Sequence, residues 1–191
     1  MSNFPVHTRK TSPLAAQATL DAVADMFGFV PNLIGVMATS PALAEAYVAL
    51  SEIFEKSGLN PVERQVVLLT VSHFHECRYC MAAHSMIAEM QQVPDDVIEA
   101  IRTDIPIADT KLEALRLYVK RLIKQRGWIN ETEMNEFLAA GYEPSHAFDV
   151  LVGVGQKILS NFTNHIANTP VDTAFEKRTW SPEKNSVRNT P

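Results

Sequence analysis

Apolar residues recur at three- and four-residue intervals along most of the chain, the spacing that gathers them on one face of an α-helix. Leu20, Val23, Ala24 and Phe27 open the pattern, Gly28 ends it, and Pro31 begins a new segment. Ser40-Pro41 reads as a cap and first helical position. It leads a stripe of Leu43, Ala46, Tyr47, Leu50, Ile53 and Phe54 that Gly58 closes. In Asn60-Pro61-Val62-Glu63, Asn60 caps, Pro61 opens the helix and Glu63 stands where a capping-box acid belongs. The run Val66, Val67, Leu68, Leu69 and Val71 predicts a deeply buried helix ending near His75. A single helix from Pro61 through Gln92 would be about 48 Å long at about 1.5 Å per residue, too long for a domain of this size. A break is therefore expected over residues 73–76, with Cys77 near the start of the next helix.

Further helices are expected from Pro94 to about Arg102, from Asp109 to Gln125, from Asn130 to Gly141, and from Pro144 or Ser145 to His165. No strand-like alternation lasts long enough to build a sheet. The pattern predicts an all-α bundle of about eight helices in a single domain over residues 20–170. A proline-containing arm precedes it over residues 1–19, and a loosely structured tail marked by Pro182 and Pro191 follows over residues 171–191. Gly153-Val154-Gly155 lacks the preceding strand and the spacing of a phosphate loop, and reads as a place of close helix packing.

Composition narrows the partners. The chain has 191 residues, 46% of them hydrophobic, and a net charge of -5, which gives no basic surface for nucleic acid or anionic lipid. Its densest basic stretch, residues 111–126, alternates with leucines as the solvated face of an amphipathic helix does. No run approaches the roughly 18 apolar residues of a membrane span, and the N-terminus lacks the basic start and apolar stretch of a signal peptide. A cytoplasmic protein is expected. There a chain with only two cysteines, placed three apart, is a poor candidate for a structural disulfide, and redox or metal chemistry fits better.

Those cysteines carry the chemistry. Cys77, Cys80 and His84 stand at i, i+3 and i+7, within roughly 60° of one another on a helix, so all three share one face. A helix start favours thiolate through its partial positive charge, and His84, one turn after Cys80, can take the thiol proton or stabilise the thiolate. A structural zinc would need two further ligands. No second cysteine pair exists, and His73 and His75 fall across the expected helix break. The remaining alternative makes both cysteines small, inert core residues. His73 and His75 otherwise read as hydrogen-bonded turn residues, and Met81, Met86 and Met90 as core or interface filler.

The stretch 63–84, ERQVVLLTVSHFHECRYCMAAH, resembles the carboxymuconolactone decarboxylase superfamily, in particular its alkylhydroperoxidase D-like (AhpD-like), peroxidase-related branch with the motif C-x-x-C-x-x-x-H. FGFVPNL, VPDDVIEAIR and AGYEPSHAFDVLVGVGQKILSNFTNHIANTPVD extend the likeness over roughly residues 20–180. The resemblance implies an all-helical fold in a homo-oligomer (dimer, trimer or hexamer) that reduces a hydroperoxide substrate at the expense of a thiol or dithiol reductant, with no cofactor and no metal. Cys80 would attack the peroxide, Cys77 would resolve the sulfenic acid as a disulfide, and His84 would relay the proton.

Two positions depart from the family. Its relay begins with a glutamate where this chain has Gln65, and Tyr79 stands where one type of member has histidine. Gln65 can orient a water but cannot accept a proton at neutral pH. Glu76, His73 or His75 then becomes a candidate substitute base. A glutamate restored at position 65 would be expected to raise the rate about 10-fold or more. Asn161, Asn164 and His165 resemble the family's closing motif and are expected to satisfy buried backbone or line an interface. Two other functions compete: a lactone-acid lyase, which the intact cysteine pair counts against, and a helical binding or scaffold subunit without turnover.

Overall fold

In a computed structural model that describes residues 4–182, the chain winds as nine α-helices and two short 3-10 helices, with no strand among the described residues. The helices are α1 (Gln17–Phe27), α2 (Asn32–Met37), α3 (Pro41–Glu55), α4 (Pro61–Phe74), α5 (Arg78–Met90), α6 (Asp95–Arg102), α7 (Thr110–Lys124), α8 (Glu131–Ala139) and α9 (Pro144–Ala167). The 3-10 turns are Leu14–Ala16 and Thr173–Arg178. Residues 1–3 of the expected arm and 183–191 of the expected tail lie outside the described residues.

Helix α4 is the centre, packed by α5, α6, α7 and α9. Val66, Val67, Leu69 and Val71 are completely enclosed. Each such side chain contributes about 1.5–3 kcal/mol of burial. Its start is the capping box read from the sequence: Glu63 N–H donates to Asn60 Oδ1 at 3.0 Å, and Asn60 N–H donates to Glu63 Oε2 at 2.9 Å. The other Glu63 oxygen pairs with Lys111 at 2.9 Å and ties α4 to α7. Phe137 of α8 stacks between Tyr118 (4.2 Å) and Tyr142 (4.5 Å) on the far side of this core.

Gly153 lets α9 close on the centre. A Cβ there would lie 2.7 Å from the Phe54 ring and 2.9 Å from Val67, whereas one at Gly155 would meet nothing. One glycine of the pair therefore has the packing role. A second, smaller core joins Leu20, Leu33, Ile34 and Met37 to Cys77, Tyr79 and Cys80.

Residues 171–182, read from the sequence as the start of a loose tail, are held at several points. Phe175 is buried in the second core, and Trp180 Nε1–H donates to the Arg102 carbonyl at 2.9 Å. Arg178 reaches Asp95 and Glu99, both at 2.8 Å, and also Glu89. Prolines mark where a helix cannot run, but they do not reveal that an arginine will find three carboxylates on α5 and α6.

Candidate active site

The break that positions the cysteines is a Schellman motif closing α4. Glu76 takes the left-handed conformation at φ 54°, Glu76 N–H donates to the His73 carbonyl at 2.9 Å, and Cys77 N–H donates to the Ser72 carbonyl at 2.9 Å. Cys77 thereby becomes the cap of α5. Cys80 and His84 follow on the same face, and both cysteines are buried as free thiols.

Helix α9 lies over this face and supplies a second polar row. Lys157, Asn161 and Asn164, at i, i+4 and i+7, share one side of a helix whose neighbours are largely apolar. Asn164 Nδ2–H donates to Cys80 Sγ at 3.3 Å and Cys77 Sγ at 3.6 Å. Lys157 is completely enclosed. Its Nζ makes no hydrogen bond of ordinary geometry among the described residues, although the Cys80 sulfur is near enough to raise its pKa.

The two thiols are made unequal. Burial alone would raise Cys80, but a hydrogen bond from Cys77 and the charge of Lys157 outweigh it and bring Cys80 down to about 5. Cys77 moves the other way, because it gives its hydrogen to Cys80, is buried, and sits beside the negative charge there. His84 is held well below its ordinary range by burial and by Lys157, so it is a neutral imidazole at neutral pH.

Gln65 sets that imidazole's tautomer. Gln65 Nε2–H donates to Gln91 Oε1 at 3.1 Å, which turns Oε1 toward His84 Nδ1 at 3.2 Å. Nδ1 therefore carries the hydrogen, and Nε2 keeps its lone pair.

A cavity of about 630 Å³ opens on this arrangement. Tyr47 and Val48 of α3, Leu33 and Ile34 of α2, and Phe175 form much of its wall, with Cys80, His84 and Lys157 at the reactive end. Cys77 is not in the wall. It stands behind Cys80, hydrogen-bonded to it.

The other sequence candidates are placed elsewhere. Tyr79 borders the cavity, but its hydroxyl accepts from Leu33 N–H at 3.2 Å and donates to Asp172, so it ties α2 and the C-terminal segment to α5. His73 packs on Trp180 at 5.2 Å in a separate small recess with Asp104, Arg116 and Lys120. His75 lies against Phe162 at 5.3 Å, with its Nδ1 3.4 Å from Asn161 Nδ2. Glu76 is exposed in the turn. Among the described residues no three His, Cys, Asp or Glu side chains come together as a metal site would require.

Lys157, Gln91 and the sulfur contacts of Asn164 are not among the site features expected from sequence, where Asn164 is expected to satisfy backbone or line an interface. The signal that could have found the α9 row is its spacing: three polar residues at i, i+4 and i+7 inside an apolar helix.

The model of the carboxymuconolactone decarboxylase family matches residues 41–120, which run from α3 through the cysteine motif into α7. Over that stretch the chain is similar to the family. Its fold is AhpD-like. An AhpD-core, uncharacterized peroxidase-related protein from Ralstonia eutropha JMP134 superposes with a TM-score of 0.77 at 22% identity, covering 91% of this chain and 94% of that one. A peroxidase-related protein from Silicibacter sp. TM1040 gives 0.78 at 16% identity, covering 92% and 93%. A cysteine-to-alanine variant of the debrominase Bmp8, in complex with 2,3,4-tribromopyrrole, gives 0.77 at 15% identity, covering 93% and 96%. No curated protein matches the sequence.

Proposed function

We propose that this protein is a thiol-dependent peroxidase that reduces organic hydroperoxides and cycles between a dithiol and a Cys77–Cys80 disulfide. The observation that carries the reading is the asymmetry at the cavity: the acidic thiol of Cys80 forms part of its wall, while Cys77 is kept protonated behind it. The Cys80 thiolate attacks the peroxide oxygen, the O–O bond breaks, and the products are a Cys80 sulfenic acid and an alkoxide that is protonated to the alcohol. Cys77 then displaces water from the sulfenic sulfur, closing the disulfide. Two electrons pass from the sulfurs to the peroxide, and an external thiol or dithiol returns them.

A wall of side chains such as Val48, Leu33, Ile34 and Phe175, enclosing about 630 Å³, suits an apolar organic body better than hydrogen peroxide. His84, neutral with Nε2 unprotonated, borders the cavity as a hydrogen-bond acceptor for the hydroperoxide O–H. No cofactor is needed. No helix among the described residues is long and apolar enough to cross a membrane, and a reducing cytoplasm suits the dithiol state. The debrominase of similar fold motivates a second substrate for the same dithiol, a halogenated aromatic ring, with halide release as its signature.

Single-turnover consumption of cumene hydroperoxide by the reduced protein tests the proposal. Wild type should consume one equivalent and lose the mass of two hydrogens, Cys77→Ser should stop at a trappable sulfenic acid, and Cys80→Ser should do neither. Consumption by wild type no faster than by Cys80→Ser would exclude the peroxidase reading.

A further inference from the structure

The geometry points to Lys157 as the acid of this site: its enclosed ammonium is the counter-ion of the Cys80 thiolate at rest and gives its proton to the alkoxide released when Cys80 is oxidised. This rests on the hydroperoxide reading and assigns the proton donor that the reading leaves open.

An enclosed ammonium with no hydrogen-bond partner is costly unless negative charge arises beside it. Lys157 is such a group, and it borders the cavity together with Cys80. The groups that favour its charged form are Cys80, Tyr47 and Cys77, all acids that are neutral when protonated. Cys80 is the acidic one of the three, so the pair is ammonium and thiolate.

The alternatives around it are few. His84 on α5 and His75 in the turn before it are both held neutral, in part by Lys157 itself. Glu52 and Glu55 of α3 and Lys56 just after it also border the cavity, but all three are solvent-exposed. Lys157 is the enclosed cation of the cavity wall among the described residues.

Attack by the thiolate turns one oxygen of the peroxide into the sulfenic hydroxyl and frees the other as an alkoxide, in an apolar cavity where bare negative charge is unfavourable. A proton from the Lys157 ammonium makes it the alcohol and leaves a neutral amine. The Cys77 hydrogen leaves with the sulfenic hydroxyl as water. Thiolate, ammonium, thiol and hydroperoxide thus become disulfide, amine, alcohol and water, with charge and hydrogens balanced. The amine takes back a proton from solvent when the disulfide is reduced.

Two substitutions separate counter-ion from acid. Lys157→Met removes the charge at similar volume, and should slow alkylation of Cys80 by iodoacetamide at pH 7 about 10-fold or more by moving its midpoint upward. Lys157→Arg keeps the charge but holds its proton near neutrality. It should leave alkylation within about threefold of wild type and slow reduction of cumene hydroperoxide about 10-fold or more. That defect should vanish with peracetic acid, whose carboxylate departs without a proton, a selectivity that a merely structural role would not produce. An unchanged alkylation profile in Lys157→Met overturns the counter-ion role. An equal defect of Lys157→Arg toward both oxidants, or none, overturns the acid role. If wild type consumes no hydroperoxide, the proposed function and the acid step fall together, while the alkylation profile still decides the counter-ion.

Discussion

Gln65→Glu exchanges one side-chain nitrogen for oxygen at the point where the family's relay would start. On sequence grounds it supplies a missing base and speeds the reaction. The structure reverses that expectation. With Cys80 brought down to about 5, roughly 99% of it is already thiolate at pH 7. A base that helps remove a proton already gone can add only about 1% to the reactive form, so the rate at pH 7 should stay within about twofold of wild type.

The substitution instead shows as a loss of stability. Gln65 is 4% exposed, and its Nε2–H donates to Gln91 Oε1 at 3.1 Å. A carboxylate would set two acceptors face to face until the Gln91 amide turned over, and its burial carries its own penalty. A cost of about 1–3 kcal/mol follows, or about 2–4 °C of Tm per kcal/mol for a chain of this length. Stopped-flow single turnovers at pH 7, beside a thermal melt, measure both quantities. A rise of about 10-fold or more in rate would mean that Cys80 rests protonated, and would refute the assignment of a preformed thiolate.

Three further outcomes follow from the same geometry. Alkylation of Cys80 should be flat with pH from neutrality down to about 5 and fall below it, since the thiol is depressed and the thiolate is lost as pH drops through that value; Asn164→Ala, which removes hydrogen bonds to both sulfurs, should move the fall to higher pH. A flat region that begins only near pH 9 would contradict this. Tyr79→Phe should cost about 1–3 kcal/mol by leaving Leu33 N–H and Asp172 without their shared hydroxyl, read by denaturant unfolding, and a loss below about 0.5 kcal/mol would show that bridge to be dispensable. Phe148, Leu151, Ile158, Phe162 and Ile166 form an exposed apolar stripe along α9, which should drive self-association; light scattering should report at least two chains, weakened by Phe162→Glu, and a monomer at micromolar concentration would refute it.

The sequence by itself determined what local hydrogen bonding determines. Asn60 and Glu63 satisfy each other's backbone within one turn, Gly28 takes a left-handed cap at φ 78°, and the chain breaks between α4 and α5 because one continuous helix would outrun the domain. The shared face of Cys77, Cys80 and His84 follows from helix periodicity alone. The helix over residues 32–37 was not legible in the same way. Its first two N–H groups are capped from afar, Asn32 by Asp172, 140 residues away, and Leu33 by Tyr79. The site was divided likewise. Which cysteine borders the cavity, and what makes it acidic, was decided when α9 brought Asn164 onto a sulfur 84 residues distant and sealed Lys157 beside it. A buried charge declares itself in sequence only as a polar residue in an apolar helix; its partner is chosen by packing, because the energy that fixes the pair exists only once water has been excluded from both.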